Sequence, residues 1–432
     1  MDFVSTRGQA PTTNLEEAVL RGLAPDGGLY MPRDLPALTP NTMSGLAEKS
    51  WPELASSVVR ILLSGALDPI TLDALTADAL NFPVPLVQLQ DRIYVLELFR
   101  GPTLAFKDVG ARFMARLLAH YRQDADAPLT VLAATSGDTG SAVAHAFWGL
   151  PGIRVVVLFP DGKVTPRQER QFSTLGGNVT AVAVQGDFDD CQRMAKEAFQ
   201  EQAGLGRRTL TSANSINVGR FLPQTSYFFE VWARLQTMYL NRTDILFSVP
   251  SGNFGNLAAG LLAKAMGMTG ASFLAATNLN DGVPEYLRTG RFTPRPSTPT
   301  LSTAMDVGDP SNLARILYLY GGSVEGIRGD LVGRKVTDSE TQSSIRQVHG
   351  DTGYILDPHT AVGFTALEKE LATRPAMTGV LLATAHPAKF AEVVEPVIGE
   401  VLPIPPELAR CMEGERRVIP VEPRLDALRE VL

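Results

Sequence analysis

The chain has 432 residues, 44% hydrophobic and 20% charged, a composition that can bury a large core and excludes a disordered chain. Thirty-nine Lys and Arg against 46 Asp and Glu leave a net charge of −7, which argues against nucleic acid or an anionic membrane as the main partner. At about 150 residues per domain the length suits two or three domains. The first 80 or so residues read as helices broken by turns. Apolar residues recur at helical spacing over 15–23, 51–64 and 72–80, with Asp26-Gly27-Gly28 as a turn and Pro32, Pro36 and Pro40 as breaks. From about residue 83, β-rich runs alternate with helical patterns. Strands are predicted over 93–98, 129–134, 155–159, 179–184, 245–249, 272–276 and 379–383. Several are apolar throughout, as expected when both sheet faces are covered. Helices are predicted over 110–119, 141–148, 166–175, 189–199, 222–240 and 257–266.

This alternation implies βαβ units, and there are too many for one sheet of usual size. The expected fold class is α/β, with two mostly parallel-sheet lobes, a ligand between them, and a helical N-terminal region. The expected domains are 1–82, 83–225 and 226–432. The last 30 residues, with four prolines from Pro403 to Pro420, read as a peripheral tail. Cys191 and Cys411 stand far apart, and CxxC, HExxH and Cys/His clusters are absent. That points to no structural metal and to a reducing compartment. The opening residues carry no apolar signal core, and no apolar run reaches the roughly 18 residues of a membrane span. A cytoplasmic location is the expectation.

Five segments could carry chemistry. Thr135-Ser136-Gly137-Asp138-Thr139-Gly140 and Ser251-Gly252-Asn253-Phe254-Gly255-Asn256 each follow a predicted strand and open a predicted helix. Glycines permit a tight turn, and free N–H groups at a helix start make an anion site. The plain alternative for each is an ordinary strand-to-helix turn. Neither fits a P-loop or GxGxxG pattern. Asp138 is awkward in an anion site and must point away from the anion or meet a cation or a protonated group. Lys107, in Gly101-Pro102-Thr103-Leu104-Ala105-Phe106-Lys107-Asp108, sits after a strand among apolar residues. Burial there would lower its pKa and make it a nucleophile or base, whereas a surface position would leave it an ordinary cap. Thr384 and His386 follow the strand 379–383; the histidine could be an acid–base group, but a lone histidine before proline reads more readily as structural. Asn214-Ser215-Ile216-Asn217-Val218-Gly219-Arg220 gathers amides, a hydroxyl and a guanidinium suited to phosphate or carboxylate.

Taken in order, GPTLAFKD, TSGDTG, NSIN followed by Arg220, SGNFGN and TAHPAKF resemble the threonine synthases, pyridoxal-phosphate enzymes of the tryptophan-synthase-β fold type. The likeness is to the longer bacterial and fungal branch with a helical N-terminal extension. Ser5-Thr6-Arg7-Gly8 and Gly27-Gly28-Leu29-Tyr30 fit the same branch. The resemblance implies that Lys107 bonds covalently to the cofactor aldehyde. It implies that Gly252, Asn253, Phe254, Gly255 and Asn256 cradle the cofactor phosphate, and that Thr384 lies near the pyridine nitrogen. Asp138 takes a position near the cofactor's phenolic oxygen where related enzymes hold Asn. Ser136, Thr139, Asn214, Ser215 and Arg220 match the substrate-side anion contacts.

The implied reaction converts O-phospho-L-homoserine and water to L-threonine and phosphate, by loss of the γ-phosphate and addition of water at Cβ. This is the last step of threonine biosynthesis. The implied assembly is a monomer or dimer. Two alternatives are a serine/threonine dehydratase of the same fold type, which needs no distal phosphate pocket, and a silent relative that senses a phosphorylated amino acid.

Overall fold

The computed structural model describes residues 1–123, 128–201, 209–238 and 244–432. Its strands, in chain order, are β1 (Phe3–Ser5), β2 (Tyr30–Pro32), β3 (Leu86–Gln90), β4 (Ile93–Glu97), β5 (Leu129–Ala134), β6 (Ile153–Pro160), β7 (Val179–Val184), β8 (Thr209–Ser212), β9 (Ile245–Pro250), β10 (Ala271–Thr277), β11 (Leu331–Lys335), β12 (Thr378–Ala383) and β13 (Val418–Val421). They form two mixed α/β lobes. One holds a six-stranded sheet in the order β11-β10-β9-β12-β4-β3, the other a five-stranded sheet in the order β13-β7-β6-β5-β8. Within these two sheets all pairings are parallel except β3 with β4. Every residue of β4, β5, β9 and β12 is buried, which explains their continuous apolar runs.

The N-terminal region carries the helices Leu15–Arg21, Pro40–Ala47, Trp51–Leu62 and Pro69–Ala79, and also the antiparallel pair β1–β2. That pair was not expected, because three-residue strands leave too short an alternation to read. Ser50 and Glu53 close a capping box at the start of Trp51–Leu62, and Asp68 caps Pro69–Ala79.

The two lobes are not contiguous in sequence, so the expected domains 83–225 and 226–432 each mix strands of both sheets. Strands β3 and β4 belong to the sheet built otherwise from residues beyond 244, and β13 returns to the sheet built from residues 129–212. The last 30 residues are peripheral, as expected, but they are built into the five-stranded lobe. Strand β13 pairs with β7, and Leu428 of the helix Leu425–Arg429 is fully buried with Val182, Cys191 and Met194. The expected helix 222–240 is a 3-10 turn, Leu222–Gln224, followed by Thr225–Met238; residues 239 and 240 lie outside the described ones.

Parallel pairing fixes where the chemistry gathers. Strands β4, β9 and β12 are neighbours running the same way, so the segments after Glu97, Pro250 and Ala383 leave one edge together. In the other lobe β5 and β8 are parallel neighbours, so the segments after Ala134 and Ser212 also leave together. Loops at the carboxyl ends of parallel strands are where such sheets bind ligands.

Because Leu428 closes the outer core of the five-stranded lobe, Leu428→Ala should cost about 2–5 kcal/mol. Urea unfolding measures it. A loss below about 0.5 kcal/mol would mean that the C-terminal helix is not part of that core.

Candidate active site

The loops from both lobes enclose one cavity of about 340 Å³. Its wall includes Lys107, Ser136, Asp138, Thr139, Asn214, Ser215, Arg220, Thr384 and every residue from Gly252 to Asn256. All thirteen residues singled out from the sequence therefore come together. His386 does not: its Nδ1 accepts the Ala388 N–H at 3.1 Å, and its ring meets the edge of Phe99. Burial pushes its pKa down to about 4, which leaves it a neutral cap.

Lys107 is the first residue of the helix Lys107–Tyr121, three residues earlier than expected. Its loop is sewn to the end of β12: Phe106 N–H donates to Thr384 O at 2.8 Å, and His386 N–H to Leu104 O at 3.1 Å. Only 14% of the Lys107 side chain is exposed, with the amine opening toward the cavity. Burial lowers its pKa; Asp138 opposes that shift, while Lys389 and Arg220 add to it.

Asp138 opens the helix Asp138–Phe147, where a carboxylate suits the helix dipole. It meets cations, as its place required. Lys389 Nζ lies 2.7 Å from one carboxylate oxygen, which also accepts from Gln168 Nε2 at 2.8 Å, and Lys107 Nζ lies 3.7 Å from the other. Burial alone would raise the Asp138 pKa, but Lys389, Lys107 and these hydrogen bonds outweigh it and hold it well below the usual carboxylate range. Gly137, with φ of +143°, lets the chain turn just before it.

The second loop is a backbone cradle. Among the described residues, no acceptor meets the backbone N–H groups of Gly252 to Asn256. The side chains there are committed elsewhere. Asn256 Nδ2 donates back to Pro250 O at 2.9 Å, and Asn253 Nδ2 donates to Ser215 Oγ at 2.6 Å. Phe254 adopts φ of +61°, a left-handed conformation costly for an aromatic residue, and so turns the following N–H groups inward. A Cβ on Gly252 would lie 2.7 Å from Met305 Cα and 2.9 Å from Ala304 O.

On the other side, Arg220 is 4% exposed, with one nitrogen bonded to Ala213 O and its Nε without a partner. Burial lowers its pKa to about 10, which leaves it a cation at neutral pH. Asn214 Nδ2 donates to Ala134 O at 3.2 Å, while its buried Oδ1 has no partner. Buried polar atoms without partners are rare away from ligand sites.

Three family models divide the chain between them: a threonine synthase N terminus over residues 2–80, a pyridoxal-phosphate dependent enzyme over 79–383, and a threonine synthase C-terminal region over 360–432. The threonine synthase of Haemophilus influenzae is 44% identical over 408 residues, 94% of each chain. The chain belongs to the threonine synthase family. The crystal structure of the Escherichia coli threonine synthase superposes with a TM-score of 0.93 at 40% identity, covering 100% of this chain and 99% of that one. The threonine synthase of Brucella melitensis, solved with pyridoxal phosphate bound, gives 0.93 at 34%, covering 100% and 98%. This member is accordingly a pyridoxal-phosphate-dependent lyase with threonine synthase activity. Its residues fit that cofactor: a largely enclosed amine for an aldehyde, and a run of unengaged N–H groups for a phosphate.

Several residues shaping this family's site were not anticipated. Lys389 stands within the quoted TAHPAKF segment, but no pattern marks it as fully buried. His359 accepts the Ala304 N–H on Nε2 at 3.1 Å while Asp357 holds Nδ1 at 2.7 Å, fixing the backbone that abuts Gly252. Asn312 Nδ2 donates to Asn253 O at 2.9 Å, and Arg315 donates to Ser215 O at 2.9 Å and Ile216 O at 2.7 Å. These tie the cradle to the Asn214–Arg220 segment from about a hundred residues away, a distance sequence spacing does not reveal.

Since the atoms facing Gly252 are backbone, Gly252→Ala must displace the cradle at about 1–3 kcal/mol. Pyridoxal-phosphate affinity should fall about tenfold or more, read by fluorescence titration of the apoprotein, with the melting curve little changed. Unaltered affinity would mean that the cradle does not hold the cofactor.

Proposed function

We propose that the substrate is O-phospho-L-homoserine and that the chain converts it, with water, to L-threonine and phosphate, completing threonine biosynthesis in the cytoplasm as a monomer or dimer. In this reading Gly252, Asn253, Phe254, Gly255 and Asn256 hold the cofactor phosphate through backbone N–H groups. Lys107 binds the cofactor aldehyde, Thr384 faces the ring nitrogen, and Asp138 lies on the side of the phenolic oxygen. Bound pyridoxal phosphate supplies an electron sink for charge developing on the substrate carbons. Once displaced by the substrate amine, Lys107 Nζ is the base that moves protons at Cα and Cβ. Its enclosed setting favours the uncharged amine that this task needs. A long unbranched side chain can reach two adjacent carbons.

Arg220, Asn214, Ser215, Ser136 and Thr139 take the substrate's carboxylate and phosphate. The observation that carries the reading is that Arg220, buried and with its Nε unpartnered, lines the same cavity as Lys107 and the cradle. A dehydratase, which releases only a hydroxyl group from Cβ, has no substrate phosphate for a second cationic group to hold. Ser215 Oγ already accepts from Asn253 and Asn312, so its hydroxyl hydrogen is what remains for the substrate.

Lys107→Ala should abolish phosphate release from O-phospho-L-homoserine and leave circular dichroism unchanged. Arg220→Ala removes a charged hydrogen-bond donor worth about 1.5–3 kcal/mol, so KM should rise about 10- to 100-fold while the cofactor dissociation constant moves by less than about threefold. Steady-state kinetics and cofactor titration measure both. Equal losses would remove Arg220 from the substrate side, and rapid deamination of threonine without phosphate release would favour the dehydratase.

A further inference from the structure

Lys389 is fully buried in the 3-10 turn Pro387–Phe390 that follows β12. Its ammonium bridges the lobes. It lies 2.7 Å from Asp138 Oδ1, on the helix after β5, and donates to Thr103 O at 2.8 Å in the loop leading to Lys107. Asp138 therefore stands between two lysines, held closely by Lys389 and more loosely, at 3.7 Å, by Lys107. We propose that Lys389 is a positioning residue for the reaction: it binds the Asp138 carboxylate at the oxygen that Lys107 does not approach, so that Asp138 does not lock Lys107 as an ammonium ion.

The charge inventory supports this division. Arg220, Asp108, His145, His386 and Cys411 also act on the cluster, and Asp189, Arg295, Asp306, Asp309 and His359 line the same cavity. Of the acids, Asp306 is engaged by Thr300 and Asn278, and Asp108 is already bonded to Thr103 N–H at 2.9 Å and Thr103 Oγ1 at 2.6 Å. Without Lys389, Asp138 would have Lys107 as its nearest cation. A buried carboxylate left with one lysine holds that lysine's proton firmly. With Lys389 present, the carboxylate is neutralised at its far oxygen and a second positive charge repels a proton from Lys107. The same lysine keeps Asp138 ionised, and Gln168 fixes its rotamer through the shared oxygen.

The proposal deepens the assignment of Lys107 as the cofactor lysine, but its test needs no cofactor. In full-length apoprotein, the rate at which trinitrobenzenesulfonate labels Lys107 is followed against pH, with the labelled peptide identified by mass spectrometry. Lys389→Met should move the labelling midpoint up by about one pH unit or more, Asp138→Asn should move it down, and Lys389→Arg should leave it in place. The double variant Asp138→Asn with Lys389→Met leaves no unpaired carboxylate, and its midpoint should lie above that of Asp138→Asn alone. This pair decides the matter by itself if Lys389→Met does not fold. Coincident midpoints in the pair, or a shift in Lys389→Arg as large as in Lys389→Met, would reduce Lys389 to a packing role. Failure of the cofactor-lysine reading would instead appear as Lys107 still labelled in the holoenzyme, with these midpoints unaffected.

Discussion

The site depends on keeping one amine out of water. A lysine in solution is almost wholly protonated and inert toward aldehydes and C–H protons. Lys107 is relieved of that by enclosure, by Arg220 and Lys389 nearby, and by an acid partner that Lys389 holds more closely. Each of these comes from a different part of the chain. The fold can be read as the means of bringing them to one cavity without letting water follow.

Parallel sheets do this economically. Strands β4, β12 and β9 lie side by side and deliver Lys107, Thr384 and the cradle at one edge, while β5 and β8 deliver Asp138 and the Asn214 segment from the other lobe. What binds the lobes across the site is polar: Lys389 to Asp138, Asn253 to Ser215, and Arg315 to the carbonyls of Ser215 and Ile216. Arg315 is fully buried, stacked 4.3 Å over the Phe221 ring, and burial lowers its pKa to about 9. Such contacts have strict geometry, so they fix Asp138 and the Asn214 segment relative to the amine and the cradle better than apolar packing would.

Local chemistry explains how much was legible beforehand. β5 and β7 are β-rich runs, apolar but for Thr130 and Thr180, and their bounds match the expected ones to the residue. The two glycine loops announced themselves because tight turns and close backbone approach demand glycine, and the cavity residues followed from those loops and the family's motifs. Short or half-exposed strands were missed. β1 has three residues, β11 carries Gly333, Arg334 and Lys335, and β13 is mostly exposed, so none shows a clean period. The discontinuous lobes were missed for a related reason: β13 joins β7 across more than two hundred residues, and pairing at that separation leaves no local trace. Lys389 and Arg315 were missed because burial of a charge is decided by partners that only the fold brings near.

The most direct test of the account is chemical and does not depend on kinetics. Holoenzyme reduced with borohydride and digested should yield one pyridoxyl-bearing peptide, modified at Lys107. Modification at Lys389, which also lies against Asp138, or at any other lysine would contradict the assignment on which the site rests.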